Sequence, residues 1–450
     1  MAITKVTGSL LGNYTVGTGN VALGDTALDS VASDGINNTA IGNAALTANT
    51  TGDNHVAVGY NALIANTTGR NNTAIGYTSM AANTEGTGNT AVGLSSLDVN
   101  TTGDNNVAVG SGSLGANTTA DNNTAVGASA LNANTTGTNN AALGSSALAL
   151  NTTGSYNAAV GMVALDANID GDANTALGYG ALSDNTTADN NTAVGYFALL
   201  RNTTGANNIA IGAGALDANT TASNNTVVGK DAATANTTGD GMTAMGFGAL
   251  ANNTTAANNT AVGYIAMISN TTGHSNTAVG SLSLDANTTA ANNTAVGYAS
   301  LGANTTGHSN VSLGAYSMTA NTQSNRNTAL GYNTLSSHNL TSDSNGYNTC
   351  VGFQAGSDIT TGIQNTAIGA LTFNGTCTAN NNTAVGYFTM NSNTSGTQNT
   401  AVGSSALNAN TTAANNSAFG YNALGANTTG ANNVGIGQFS LDANTTGASN

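Results

Sequence analysis

One pattern constrains this chain more than any other: Asn-Thr-Ala-Val-Gly returns, with small variations, along almost its whole length. Its Gly sets a register. After Gly24 it stands at Gly42 and then every 17 residues to Gly331, and it resumes at Gly352 and continues every 17 residues to Gly437. That makes 25 copies, with one early step of 18 and one late step of 21. A period this short cannot enclose a core of its own. It forms a stable body only if each copy stacks on the next, which is the logic of a solenoid.

The unit reads Asn-Thr-Ala-Val-Gly-Tyr-x-Ala-Leu-x-Ala-Asn-Thr-Thr-Gly-x-Asn, as in the copy from Asn191 to Asn207. Thr-Ala-Val-Gly-Tyr alternates in the strand period of two. Ala-Asn-Thr-Thr-Gly-x-Asn is corner chemistry, because Asn and Gly tolerate left-handed backbone and Thr hydroxyls bond nearby amides. The chain has no Pro in 450 residues. Pro removes a ladder donor, so its absence fits a backbone that is paired nearly throughout. The expected fold is all-β: a parallel β-solenoid of about 25 coils over residues 20–450, with residues 1–19 as an N-terminal cap or attachment segment. At ~4.8 Å per paired strand the coils would make a rod on the order of 120 Å long. Stacked Asn and Thr rows would satisfy one another's hydrogen bonds.

Two positions are large and apolar in nearly every copy: the residue before the register Gly and the residue four after it. The expected core ladder is therefore Val58, Leu63, Val126, Leu131, Val194 and Leu199. The small Ala and Gly opposite the Val face are expected to let chains approach closely. Two large side chains per coil leave a thin interior, so further burial between chains, as a parallel homotrimer, is expected. A three-sided helix would show three similar hexapeptides per coil. Two anchors favour a flattened two-strand roll.

The Asn-Thr-Ala-Val-Gly-x-x-Ala/Ser-Leu/Met unit resembles the head repeat of trimeric autotransporter adhesins of the YadA type. The Ala-Asn-Thr-Thr-Gly-x-Asn corners resemble those of phage tail-fibre and related bacterial surface proteins. The opening Met1-Ala2-Ile3-Thr4-Lys5-Val6 is similar to the start of marine-phage fibre proteins. The resemblance implies a trimer of left-handed parallel β-rolls. It also implies a structural fibre, assembled on a virion or outside the cell, whose partners are itself, a virion attachment protein, or a cell-surface glycan or receptor. The N-terminus shows no continuous apolar run of the secretory type. With no heptad stalk or C-terminal anchor in the sequence, a virion fibre is favoured over a secreted adhesin. A bacterial adhesin head, a self-stacking filament and an ice-binding solenoid are the alternatives, although the expected place of the Thr rows is mainly in the corners. The repeat runs unaltered to Asn450, so either the natural protein continues or rods stack end to end.

The charge pattern narrows the function further. Net charge is −15, and the only basic side chains besides His are Lys5, Arg70, Arg201, Lys230 and Arg326. Five scattered cations cannot neutralise a phosphate backbone, so nucleic acid is not an expected partner. No apolar run approaches the ~18 residues of a membrane helix, and membrane insertion is not expected. No nucleophile–base pair or metal-ligand cluster stands out from the repeat, so neither enzymatic activity nor a cofactor is expected. The four His read as solvated corner residues, and Cys350 and Cys377 as small buried thiols. Tyr60, Tyr77, Tyr179 and Tyr196 follow the register Gly and are expected to stack as an exposed or interface ladder. The late long step falls at residues 336–347. Insertions in solenoids become exposed loops, so His338, Asn339, Leu340, Asp343 and Tyr347 form the candidate adhesion loop.

Overall fold

The computed structural model describes residues 18–450, and the expected cap lies outside them except for Thr18 and Gly19. The chain forms two compact units, Met1–Asn224 and Asn225–Asn450. Each unit is a parallel β-solenoid, all-β, with no helix among the described residues. Every turn contributes one three-residue strand, from Val21–Leu23 to Ile209–Ile211 in the first unit and from Thr226–Val228 to Val434–Ile436 in the second. Successive strands pair in parallel with like on like: Thr175 faces Thr192, Ala176 faces Ala193 and Leu177 faces Val194. Both irregular steps keep this register, since Ala22 pairs with Ala40 and Cys350 takes the place of Ala opposite Ala329.

The in–out sense of the strand is the reverse of the sequence expectation. The central residue of each of these strands, Ala in most, is the buried one, as in Ala57, Ala125 and Ala193, all at 0% exposure. The flanking Thr and Val turn outward. Val58 and Val194 are half-buried, and Val126 is 38% exposed. Leu63, Leu131 and Leu199 are fully buried. The physical reason is thickness. Across from the strand lie the Leu and two buried Asn of the same turn, and opposite a Leu little more than a methyl fits; the larger Val227 and Cys350 are buried where the Leu place holds Ala233 or Gly356. The close backbone approach made possible by Gly occurs within the chain, from one turn to the next. Gly195 has φ +139°, and a Cβ there would lie 2.6 Å from the carbonyl oxygen of Gly212, one turn on.

The second flat side is a stack of turns, not a second strand. It is hydrogen-bonded from turn to turn all the same, for example from Leu63 N–H to the Ser79 carbonyl at 3.0 Å and from Ala65 N–H to the Ala81 carbonyl at 3.1 Å. Its Leu takes a left-handed conformation in turn after turn, with φ 55° at Leu63 and 51° at Leu131. A bulky residue adopts that region only when its surroundings over-determine it. Here the compensation is complete burial of the side chain, which is worth about 1.5–3 kcal/mol for a residue of this size.

Two columns of buried Asn close the coil. In one, four residues before the register Gly, each side-chain Oδ1 accepts the backbone N–H of its successor, as from Asn89 to Asn72 at 2.9 Å. Its Nδ2 donates to a carbonyl in the next turn, Asn72 to Gly86 at 2.7 Å. In the other, seven residues after the register Gly, the amides chain directly: Asn83 Nδ2 donates to Asn66 Oδ1 at 2.9 Å and Asn100 Nδ2 to Asn83 Oδ1 at 2.8 Å. Asn83 Nδ2 also donates to Gly86 O at 3.1 Å, so the two columns meet on one carbonyl. Buried amides with their donors and acceptors used in this way are stabilising, at about 1 kcal/mol net per bond.

Candidate functional site

The insertion is the largest departure from the repeat, and the structure ties it down. Ser344–Asn345 pairs in parallel with Ser324–Asn325, a second, two-stranded sheet at the corner. Asn325 Nδ2 donates to Asp343 Oδ1 at 2.6 Å. Arg326 reaches the same corner, donating from Nη1 to Asn345 Oδ1 at 3.1 Å and to the Tyr347 hydroxyl at 3.0 Å, with its guanidinium over the Tyr347 ring. Of the candidate loop residues, Asp343 and Tyr347 are exposed, and Asn339 and Leu340 are half-buried. His338 is fully buried and is not available to a partner. It has taken the place of a corner-column Asn. The residue that sequence reasoning overlooked at this corner is Arg326. Its signal was present, as one of five basic residues in a chain of net charge −15.

The Tyr residues form pairs. Tyr60 and Tyr77 stack with centroids 5.2 Å apart and planes 13° from parallel, and Tyr179 and Tyr196 do so at 5.6 Å and 14°. Phe197 leans on the second pair. Rings stacked one turn above another cover each other's faces, leaving edges and hydroxyls toward solvent. A longer row in the second unit runs Tyr298, Tyr316, Tyr332, Phe353, and Lys230 lies over Phe247 beside Tyr264. Tyr316 sits one place later in its turn than the others, and Phe247 and Phe353 are not Tyr. A search for Tyr at one position therefore misses them.

Other features are less organised. A shallow groove of about 430 Å³ opens where Gly112 and Gly115 withdraw side chains, between Asp98 and Asn132. Burial raises the carboxyl of Asp98. Cys350 and Cys377 are buried free thiols, pushed up to about 12 and about 11 respectively, by burial above all. His274 is exposed and His308 half-buried. His55 is fully buried, contrary to the solvated corner expected of it. Among the described residues, no three His, Cys, Asp or Glu side chains stand where they could hold a metal ion, and no helix is long and apolar enough to cross a membrane.

No protein-family model matches the sequence, and no curated protein is detectably similar to it.

Proposed function

We propose that this protein is a structural fibre: a rigid shaft, of a phage tail fibre or a similar extracellular appendage, built from left-handed β-rolls that associate as a parallel homotrimer. The observation that carries the reading is the outward row just before the register Gly. Ile41, Ile75, Leu143, Leu177 and Ile211 in the first unit are 37–47% exposed, and the second continues the theme with Met245, Ile368, Val402 and Phe419. Apolar rows of this extent on a protein surface mark interaction sites. A partner that covers the row turn by turn must present its own apolar groups with the same spacing, and another copy of this chain in parallel does so. In this reading the chain works by reach and stiffness, on a virion or outside the cell, and performs no catalysis. Attachment to another virion component, or adhesion to a cell-surface glycan or receptor, would use the insertion corner and the aromatic rows. A bacterial surface adhesin head or a self-stacking filament would use the same parts. Native mass measurement of the full chain is the test: a trimer is expected, and a monomer at micromolar concentration would overturn the self-association. Negative-stain images should show rods, not compact particles.

One observation favours a second reading. The first residue of most strands is Thr, and it points outward beside the apolar row, as at Thr73, Thr90, Thr192 and Thr260. A rigid sheet face of Thr and Val rows is the kind of surface that orders water, so ice binding competes with self-association for this face. Thermal-hysteresis measurement separates them: activity in a monomeric preparation supports the ice reading, and its absence removes it.

A further inference from the structure

Column Asn residues are matched to their surroundings through one acceptor and one donor, and His55 occupies a column position with a ring in their place. Its backbone N–H donates to Asn38 Oδ1 at 3.0 Å, as a column Asn would. Its Nδ1 lies 3.2 Å from the backbone N–H of Asn72, so it must accept there, in the role of Oδ1. Its Nε2 lies 2.7 Å from Gly69 O, so it must donate, in the role of Nδ2. Neighbouring Asn66 Nδ2 stands 3.2 Å from Nε2 and donates to Asn49 Oδ1 at 2.8 Å. These contacts admit one tautomer, the neutral ring protonated on Nε2. A second proton, on Nδ1, would point at the Asn72 N–H, setting donor against donor in a site with no exposure to water.

We propose that His55 is a proton-triggered break in the Asn column, so that mild acid opens the turns around residues 36–72 before the rest of the first unit. The charged groups near it are Asp53, two residues earlier, and Arg70 in the next turn, which lie 3.7 Å apart and offset one another. Burial dominates and holds His55 down at about 4, against an ordinary 6.5; the backbone bonds, that to the Gly69 carbonyl first, and more weakly Asp53, only partly oppose it. The sign follows from that direction. Above about pH 6.5 the ring is neutral whether its turn is closed or open, and stability is full. Between about 6.5 and 4 only the open turn takes the proton, so each pH unit favours opening about tenfold, and the gain ends below about 4.

His338 provides a contrast. Burial lowers it also to about 4, with the backbone of Thr360 acting against this. Its Nε2 bonds the Ser324 hydroxyl at 3.0 Å while its Nδ1 has no hydrogen-bond partner. A proton on that Nδ1 displaces no existing bond.

Amide hydrogen exchange of the full chain at pH 7.5 and pH 5, corrected for intrinsic rates, tests the proposal. Protection over 36–72 should fall roughly thirtyfold between pH 7.5 and pH 5, while residues 140–205 change little. In His55→Asn, which restores the column residue, protection of the same segment should stay flat. Equal loss in His55→Asn, or no loss in the unaltered protein, would overturn the proposal. If the variant does not fold, ring-carbon NMR of His55 in the unaltered protein decides: titration of the closed form near the ordinary 6.5 overturns it, and titration near 4 supports it.

Discussion

The corner column of Asn can be compared in two stretches. From Asn66 to Asn202 in the first unit it is unbroken, each amide donating to the one before at 2.7–3.0 Å. From Asn321 to Asn393 in the second unit it is replaced by His338, Ile359 and Cys377. There Ile359 and Cys377 form an isolated parallel bridge, both side chains buried, and Asn321 Oδ1 is left without a hydrogen-bond partner. Yet the strand register passes through the second stretch intact, Thr349 on Thr366 and Val351 on Ile368. The difference separates two tasks. The strand and Gly columns set the register and admit almost nothing else. The Asn column closes the corner, and an apolar filling closes it too; the orphaned atom belongs to the step where His338 follows Asn321 and turns its Nε2 to Ser324 instead.

Substitutions can break this comparison, beginning with the register column. Gly195→Val puts a branched side chain at φ +139° against the backbone of Gly212. It should cost about 4 kcal/mol or more, since left-handed strain and a main-chain clash add. Chemical denaturation would show this as a lowered midpoint, and a loss below about 1 kcal/mol would deny the Gly column its role. Leu131→Ala removes a fully buried side chain and should cost about 3 kcal/mol in the same assay, within the range for core Leu.

The Asn column comes next. Asn134→Ala leaves Asn117 Oδ1 without its donor and Asn151 Nδ2 without its acceptor, and should cost about 2 kcal/mol. Cys350→Ala in the interrupted stretch restores the residue that most strands carry at that place and should change stability by less than about 1 kcal/mol. If Cys350→Ala proves as damaging as Asn134→Ala, the interrupted stretch is not the more tolerant of the two. Thiol labelling sharpens the same point. With both thiols buried and raised far above neutral pH, Cys350 and Cys377 should resist iodoacetamide at pH 8 in the native protein and react in denaturant. Rapid native labelling would mean that this corner opens readily.

The period, the parallel pairing and the buried Leu were legible in the residues because Gly and Leu recur without regard to what surrounds them. The sense of the strand was not. Thr-Ala-Val alternates equally well with either face inward, and the ordinary preference for burying the larger apolar residue points the wrong way when a buried Leu already fills the opposite side of the coil. The burial of His55 was hidden for a related reason. Asn reads as an exposed turn residue, so a His standing in its place reads as exposed too, until the columns are seen to run through the interior. At the insertion, Asp343 and Tyr347 could be placed from the longer step alone, whereas Arg326 could not, being 21 residues before Tyr347 and joined to it only by the extra sheet.

The like-on-like register has a consequence for how such a chain can change. Because Thr meets Thr and Ala meets Ala at each step, removing or doubling any 17-residue block within a regular stretch returns every side chain to an equivalent partner. The step of 21 shows that surplus residues can be put out at a corner without disturbing the strands on either side. Length is therefore a nearly free variable for this fold, adjustable in whole turns, while composition within each turn is held almost fixed.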